Sequence, residues 1–325
     1  MDNLAHTLAG LAIAEAGLRQ KVALGATTLA IAANLPDIDA FIYFVGDGID
    51  GLAFRRGWTH GILAMLVLPL LLAACMRGVS RLRGPRVDAP SSAWRWLIVI
   101  SAIGVWSHPL LDLLNTYGVR LLMPFSGRWF YGDALFIIDV WLWLALLVGI
   151  VLSRRRTLRH ASNPERPAQA AIALLVVYIA GMAASSRVGR TIVEREARGD
   201  RAERVMVSPV PLTPFRRMVL RDLGDRYEAG ELTLGTATRY QPTGETATGR
   251  DTELAMVAAR TPDGAAFLSW SRFPRFAREE TEDGLYVRIS DMRYADVRGR
   301  GWASVLIRLS TREAEPAGAV GLAGQ

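Results

Sequence analysis

Three of the four histidines and several aspartates lie inside or at the ends of long apolar runs, where ionisable groups are costly and point to function. His6 opens the first run, and Asn34-Leu35-Pro36-Asp37-Ile38-Asp39 interrupts the second. Thr59-His60 opens the third, His108 to Asn115 closes the fourth, and Asp133 and Asp139 flank the start of the fifth. On a helix His108, Asp112 and Asn115 stand at i, i+4 and i+7 and share one face. An imidazole and a carboxylate one turn apart can both reach one divalent ion. Pro36 removes a backbone donor and obstructs the preceding turn, and a break there lets Asp37 and Asp39 point inward together. Irregular backbone at membrane depth is tolerated where it lines a protein cavity. Such imidazole and carboxylate donors suit zinc, with manganese or iron as alternatives, as one ion or as two bridged by a carboxylate. Cys75 is the only cysteine, which excludes an internal disulfide and a cysteine-based zinc site.

Each residue also has an ordinary reading. His6 can be an interfacial side chain, Asp37 and Asp39 a helix-capping pair, and His108 with Asp112 a structural hydrogen bond. Asn34 and Asn115 either ligate or orient a ligand from behind. Arg55 and Arg56 either anchor the chain at the membrane interface or bind an anionic substrate beside the metal. His160, among arginines, reads as solvated, and Cys75 as a small apolar filler.

The elements that must position these residues follow from composition. Of 325 residues, 51% are apolar and 21% charged, which excludes a disordered chain. The net charge of +7 is carried almost wholly by arginine, Lys21 being the only lysine, and much of it lies in short loops between apolar runs. That placement reads as membrane orientation, not a nucleic-acid footprint. Val22–Val45, Thr59–Met76, Trp94–Asn115, Leu135–Leu152 and Ala168–Ser186 are long enough, or nearly so, to cross a hydrocarbon core of about 30 Å. Leu4–Leu18 is a shorter sixth candidate, either spanning or interfacial. Asp2 ahead of the run, with Arg19 as the first basic residue, argues against a cleaved signal peptide.

The arginine-rich loops Arg77–Arg95 and Ser153–Pro167 are expected in the cytoplasm, which places Gly46–Trp58, Tyr117–Asp133 and everything after Ser186 outside. His6, the Asp37–Asp39 pair, His60 and the His108–Asn115 stripe then fall in the same outer half of the bundle. After Ser186 the pattern changes: Pro209, Pro211 and Pro214 cluster, Leu285, Val287 and Ile289 alternate with polar residues, and Trp302–Leu309 follows a glycine turn. The expected fold is a membrane α-helical bundle of five to six helices over residues 1–186, followed by a mainly antiparallel β soluble domain over 187–325, outside the membrane.

The early His6 with Gly10, Leu35-Pro36-Asp37-Ile38-Asp39, Arg56-Gly57-Trp58-Thr59-His60, and His108-Pro109-Leu110-Leu111-Asp112 running into Asn115-Thr116-Tyr117-Gly118 resemble the YdjM-like bacterial inner-membrane proteins, described as LexA-regulated metal-dependent hydrolases. Phe136-Ile137-Ile138-Asp139, Ser208-Pro209-Val210-Pro211 and Trp270-Ser271-Arg272-Phe273-Pro274 extend the resemblance over most of the chain. It implies a multi-pass bacterial inner-membrane hydrolase with a distant likeness to zinc-dependent phospholipase C. The family often has Ser after the Thr-His pair, where this chain has Gly61, so a hydroxyl role there does not carry over.

The residues and the resemblance lead to one expectation: metal-dependent hydrolysis at the outer membrane-water boundary. His60, His108 and Asp112 are the core ligands, His6, Asp37 and Asp39 complete one or two metal positions, and Asn34 and Asn115 support them. Asp39 accepts the water's proton and Arg56 holds a phosphate. The partners expected are membrane lipids and an amphiphilic or phosphoester substrate, without nucleic acid. The alternatives are a metal transporter, which would need polar residues in the cytoplasmic half beyond Glu15, or a metal-binding scaffold without hydrolytic activity.

Overall fold

A computed structural model describes residues 1–46, 48–82, 93–197, 201–235 and 238–309. Asp47, and Arg83 and Arg86 of the first arginine-rich loop, lie outside the described residues. The chain divides into two compact units. One comprises Met1–Phe41, Phe54–Val188 and Ser208–Pro214; the other comprises Ile42–Ala53, Gly189–Val207 and the described part of Phe215–Gln325.

The first unit is helical. Helix α1 (Asn3–Glu15) starts where the Asp2 carboxylate accepts the Ala5 N–H at 3.0 Å, satisfying one orphan donor of the first turn. The second apolar run, expected as one span over Val22–Val45, is broken. It forms α2 (Gly25–Ala32), a 3₁₀ segment (Leu35–Phe41) and α3 (Ile42–Val45); α3 and the following α4 (Gly48–Phe54) belong to the second unit. The cause is local: Pro36 lacks an N–H, and the Asn34 and Asp37 amides turn back to Ile31 and Asn34 carbonyls, three residues behind.

Helices α5 (Ile62–Leu82), α6 (Ala93–Leu113) and α8 (Arg166–Glu196) are each long and apolar enough to cross a membrane. Leu66, Leu70 and Leu71 on α5 and Leu174, Val176 and Val177 on α8 are half or more exposed, as on helices that face acyl chains. Helix α7 (Val140–Leu158) is capped by Asp139, which accepts from the Leu142 N–H and the Tyr178 hydroxyl, both at 3.0 Å, and it carries Arg155 and Arg156 in its last turn. One core joins Ala5, Leu8, Ala9 and Ala12 of α1 to Leu142 and Leu146 of α7 and Leu175 and Met182 of α8. Another joins Ala32 of α2 to Leu72 and Met76 of α5 and to Leu97 and Val105 of α6.

Helix α2 lies between α1 and α6 with almost no side-chain spacing. A Cβ at Gly10 would stand 2.7 Å from the Leu29 carbonyl, and one at Gly104 would meet the Ala32 methyl. Small residues let helices approach closely where lipid supplies no hydrophobic drive between them.

The second unit carries antiparallel sheets, so the chain is a helical part followed by β structure. Strands β1 (Arg204–Val210), β2 (Thr213–Asp222), β3 (Arg226–Thr233) and β4 (Arg239–Ala247) form one sheet in sequence order, with a register shift at Ala229/Gly230. Helices α9 (Glu253–Arg260) and α10 (Pro262–Trp270) follow, which the sequence reading did not anticipate. Strands β5 (Pro274–Thr281), β6 (Gly284–Asp291) and β7 (Ser304–Arg308) form the second sheet; β6 and β7 coincide with the two expected strand segments. The Trp270–Pro274 motif is pinned by Asp291, which accepts from the Ser271 hydroxyl and Arg272 N–H at 2.7 Å, while the Arg293 guanidinium lies 4.7 Å from the Trp270 ring.

Candidate metal site

The donors singled out in the sequence come together in the helical unit. His108 and Asp112 occupy the last turns of α6, one above the other, and both are 0% exposed. His6 on α1 and His60, just before α5, are equally buried, and the 3₁₀ segment buries Asp37 and Asp39. Asp112 Oδ2 lies 3.5 Å from His60 Nε2 and 3.6 Å from His108 Nε2. Asp37 Oδ1 lies 3.7 Å from His108 Nε2 and 3.9 Å from His60 Nε2. Asp112 Oδ1 lies 3.4 Å from His6 Nε2. Two overlapping triads result, His6/His108/Asp112 and Asp37/His60/His108, with His108 common to both.

The surrounding bonds fix which nitrogen of two rings is free. His108 Nδ1 lies 2.7 Å from the Ala33 carbonyl, an acceptor only, so Nδ1 carries the proton and Nε2 keeps its lone pair. The Thr59 hydroxyl donates to Asp39 Oδ2 at 2.9 Å, and having one proton it must accept from His60 Nδ1, also at 2.9 Å. His60 therefore also presents a bare Nε2 to the cluster. Second-sphere partners of this kind set ring orientation and tautomer at metal sites. His60 Nε2, His108 Nε2, Asp112 Oδ2 and both His6 nitrogens are buried without a hydrogen-bond partner. Buried polar groups are ordinarily satisfied, and orphans that converge are the signature of a missing shared partner. The residues fit a divalent cation.

Arginines fix the carboxylates. Arg55 Nη2 holds Asp37 Oδ1 at 2.8 Å, its Nε lies 3.3 Å from Asp39 Oδ1, and its side chain is 20% exposed. Arg56, 7% exposed, points inward: Nη2 is 3.2 Å from Asp112 Oδ1, Nη1 donates to Asn115 Oδ1 and the Gly118 carbonyl, and the guanidinium stacks 4.5 Å from the Tyr117 ring. Its backbone is left-handed, with φ at +52°, a strained conformation for a non-glycine residue. In that conformation its N–H reaches Asp39 Oδ2 at 2.8 Å and its carbonyl accepts from Arg120 N–H at 2.9 Å. The Met1 amino group also donates to Asp112 Oδ1.

Other sequence candidates take different places. Asn34 directs its amide to the Thr7 hydroxyl and Ala30 carbonyl, both at 2.9 Å, so it ties α1 to α2. Asn115 lies beyond the end of α6, which stops at Leu113. Its Oδ1 accepts from the Tyr117 and Gly118 amides, and its buried Nδ2 has no partner. A side chain at Gly61 would strike the Met123 carbonyl, so this chain has no room there for a serine. The Ala33 carbonyl and Arg120, which bonds the Phe54 and Arg55 carbonyls at 3.0 Å, support the site through backbone. Nothing in residue type marks a backbone acceptor, and one arginine in a loop looks like any other.

Residues 1–188 match the family described as YdjM inner membrane protein. The uncharacterized protein YfhP of Bacillus subtilis (strain 168) is 24% identical over 311 residues, covering 90% of this chain and 87% of that protein. No solved structure matches. With the matched region spanning every residue of the histidine–aspartate cluster, this membrane protein belongs to the YdjM inner membrane protein family.

Proposed function

We propose that this protein is a membrane-embedded metal-dependent hydrolase acting on a phosphoester or lipid-linked substrate at the outer membrane-water boundary. The observation that carries the reading is the convergence of His60 Nε2, His108 Nε2 and Asp112 Oδ2, all buried and all without hydrogen-bond partners. A divalent cation held there, zinc first, supplies Lewis acidity and an acidified water.

The chain's own residues do the rest. His60 and His108 present unprotonated Nε2 atoms because Nδ1 of each keeps the ring proton and donates it, to the Thr59 hydroxyl and the Ala33 carbonyl respectively. Asp37 and Asp112 supply the negative charge that makes a buried cation affordable. Asp39, which accepts from the Arg56 amide and Thr59 hydroxyl, orients His60 in place of the proton-accepting role read from sequence. Arg55 replaces Arg56 as the guanidinium placed to meet an anionic group, since it is the more exposed and Arg56 faces Asp112. A transit path is less well supported: Glu15, the one acidic residue near the far end of α1, is ion-paired with Arg154 at 3.0 Å and Arg19 at 3.3 Å.

Purified full-length protein in detergent is expected to contain divalent metal by elemental analysis and to hydrolyse bis-p-nitrophenyl phosphate or a phospholipid in mixed micelles. Chelation and Asp112→Asn should each abolish turnover, and His160→Ala should leave it intact. Metal-free protein, or turnover that survives Asp112→Asn, overturns the proposal.

A further inference from the structure

Distance alone groups His6 with His108 and Asp112 as readily as it groups His60 with His108 and Asp37. Ring orientation separates them. The His6 and His108 rings are stacked, with centroids 3.6 Å apart and planes inclined by only 14°. The lone pair of an imidazole nitrogen lies in the ring plane, so a cation bound by that nitrogen lies in or near the plane too. A cation in the plane of His108 lies roughly 2.5–3.5 Å out of the plane of His6, farther than the whole metal–nitrogen bond of ~2.0–2.1 Å. The two stacked rings therefore cannot hold the same ion. His60 meets His108 edge to face, with centroids 4.9 Å apart at 67°, so their planes intersect and one ion can lie in both.

His108 cannot serve two ions either, because Nδ1 is committed to the Ala33 carbonyl and only Nε2 is available. An ion held by His6 would share Asp112 Oδ1 with the Arg56 guanidinium at 3.2 Å, just as one held by His60 and His108 shares Asp37 Oδ1 with Arg55 at 2.8 Å, so ring geometry and not charge separates the two. With His108 excluded, an ion at His6 keeps only Asp112 Oδ1 from its triad. The remaining donors are His60 Nε2, His108 Nε2, Asp112 Oδ2 and Asp37 Oδ1, and their four cross pairs measure 3.5, 3.6, 3.7 and 3.9 Å. Donors at ~2.0–2.1 Å from a cation stand about 3.3–3.4 Å apart in a tetrahedron and about 2.9 Å apart along octahedral edges. These four of the six edges lie on the tetrahedral side.

We infer that the site takes a single four-coordinate cation held by Asp37, His60, His108 and Asp112, and that His6 is a positioning residue stacked on His108, outside the coordination shell. The inference rests on the metal reading above and divides its six sequence candidates into ligands and supports. His6 then braces the ring of His108 by stacking, with its Nε2 3.4 Å from Asp112 Oδ1, and keeps its own lone pair off the ion.

The test is titration of metal-stripped full-length protein in detergent with cobalt(II), whose visible bands are strong in four-coordinate sites, alongside zinc stoichiometry by elemental analysis. Wild type is expected to take one equivalent with intense bands. His6→Gln keeps one equivalent and the same band positions, with an affinity reduced about 10–100-fold as for other losses behind the ligands. His60→Gln and His108→Gln lose the bands. Two equivalents in wild type, or bands that shift or disappear in His6→Gln, overturns the inference while leaving a metal site in place. Wild type that binds no cobalt or zinc overturns both readings. Helical circular dichroism and gel filtration of each variant separate ligand loss from misfolding.

Discussion

Asp112 in the helical unit and Asp291 in the β unit are both 0% exposed, yet their surroundings differ in kind. Asp291 accepts the Ser271 hydroxyl, the Arg272 amide, and the backbone N–H and side chain of Arg293, so both oxygens are saturated and the neighbouring cation is fixed at 2.9 Å. Asp112 keeps Oδ2 without any donor, facing two imidazole nitrogens that also lack one. A saturated buried carboxylate is a structural tie, because its desolvation is already offset by hydrogen bonds and an ion pair. An unsaturated one among unsaturated imidazoles is unfavourable as it stands and becomes favourable when something positive arrives. The same residue type, at the same burial, is thus read as structure in one unit and as a binding group in the other from its partners alone.

The largest expected effects separate the two sites. Asp291→Ala leaves Arg293 buried without its counter-charge and should destabilise the β unit by about 3–5 kcal/mol. Hydrogen exchange in β6 and α10 should accelerate, while bound metal per folded chain stays at the wild-type level. Asp112→Ala should do the reverse, emptying the protein of metal and leaving exchange in β6 unchanged. If Asp291→Ala strips the metal, or Asp112→Ala loosens β6, the two aspartates are not independent and the contrast fails.

A finer test concerns the groups that aim the ligands. Thr59→Val keeps the shape of the side chain but breaks the chain of bonds from His60 Nδ1 through the hydroxyl to Asp39. Loss of such a partner typically weakens metal binding ~10–100-fold, or about 1.4–2.7 kcal/mol. A competition titration against a chromophoric chelator measures it, and an unchanged affinity would mean that His60 is oriented by packing alone.

Much of this was legible in the sequence because its signals are chemical and local. The i, i+4 spacing of His108 and Asp112 does place them on one face, and Pro36 does break the second run so that Asp37 and Asp39 are both buried. The runs opening at Thr59 and Trp94 and the one containing Ala168 correspond to α5, α6 and α8. What was not legible depends on tertiary placement. Arg55 and Arg56 are adjacent and chemically identical in sequence, and only the left-handed turn at Arg56 sends one guanidinium inward to Asp112 and the other towards Asp37 and Asp39. Gly104 gave no signal, since a glycine within an apolar helix announces neither its neighbour nor its reason; here it admits α2, and the Ala33 carbonyl just past the end of α2 fixes His108. Ring stacking of His6 on His108 is a matter of helix rotation that no spacing rule contains. Helices α9 and α10 were missed because both are short, and the strand-like alternation downstream dominated the reading.

The smallest effect sharpens the structural half of the comparison. Burial alone would raise the Asp291 pKa, but Arg293 and the hydrogen bonds from its backbone and from Ser271 outweigh it and hold the carboxyl below the usual range. A carboxyl whose folded pKa is depressed binds fewer protons in the folded than in the unfolded state near its ordinary value of about 3.9. Its contribution to stability is therefore fully present above that value and is lost as pH falls through it towards the folded pKa. At neutral pH the Asp291→Asn variant should unfold more readily than wild type. The gap should narrow steadily below about pH 4, because the protonated aspartic acid loses the ion pair that asparagine never had. Denaturant unfolding of the full chain at several pH values, followed by hydrogen exchange of β6 peptides, reads the gap directly. A gap that stays constant down to pH 3 would mean that Asp291 holds the Trp270–Pro274 turn by hydrogen-bond geometry and not by its charge.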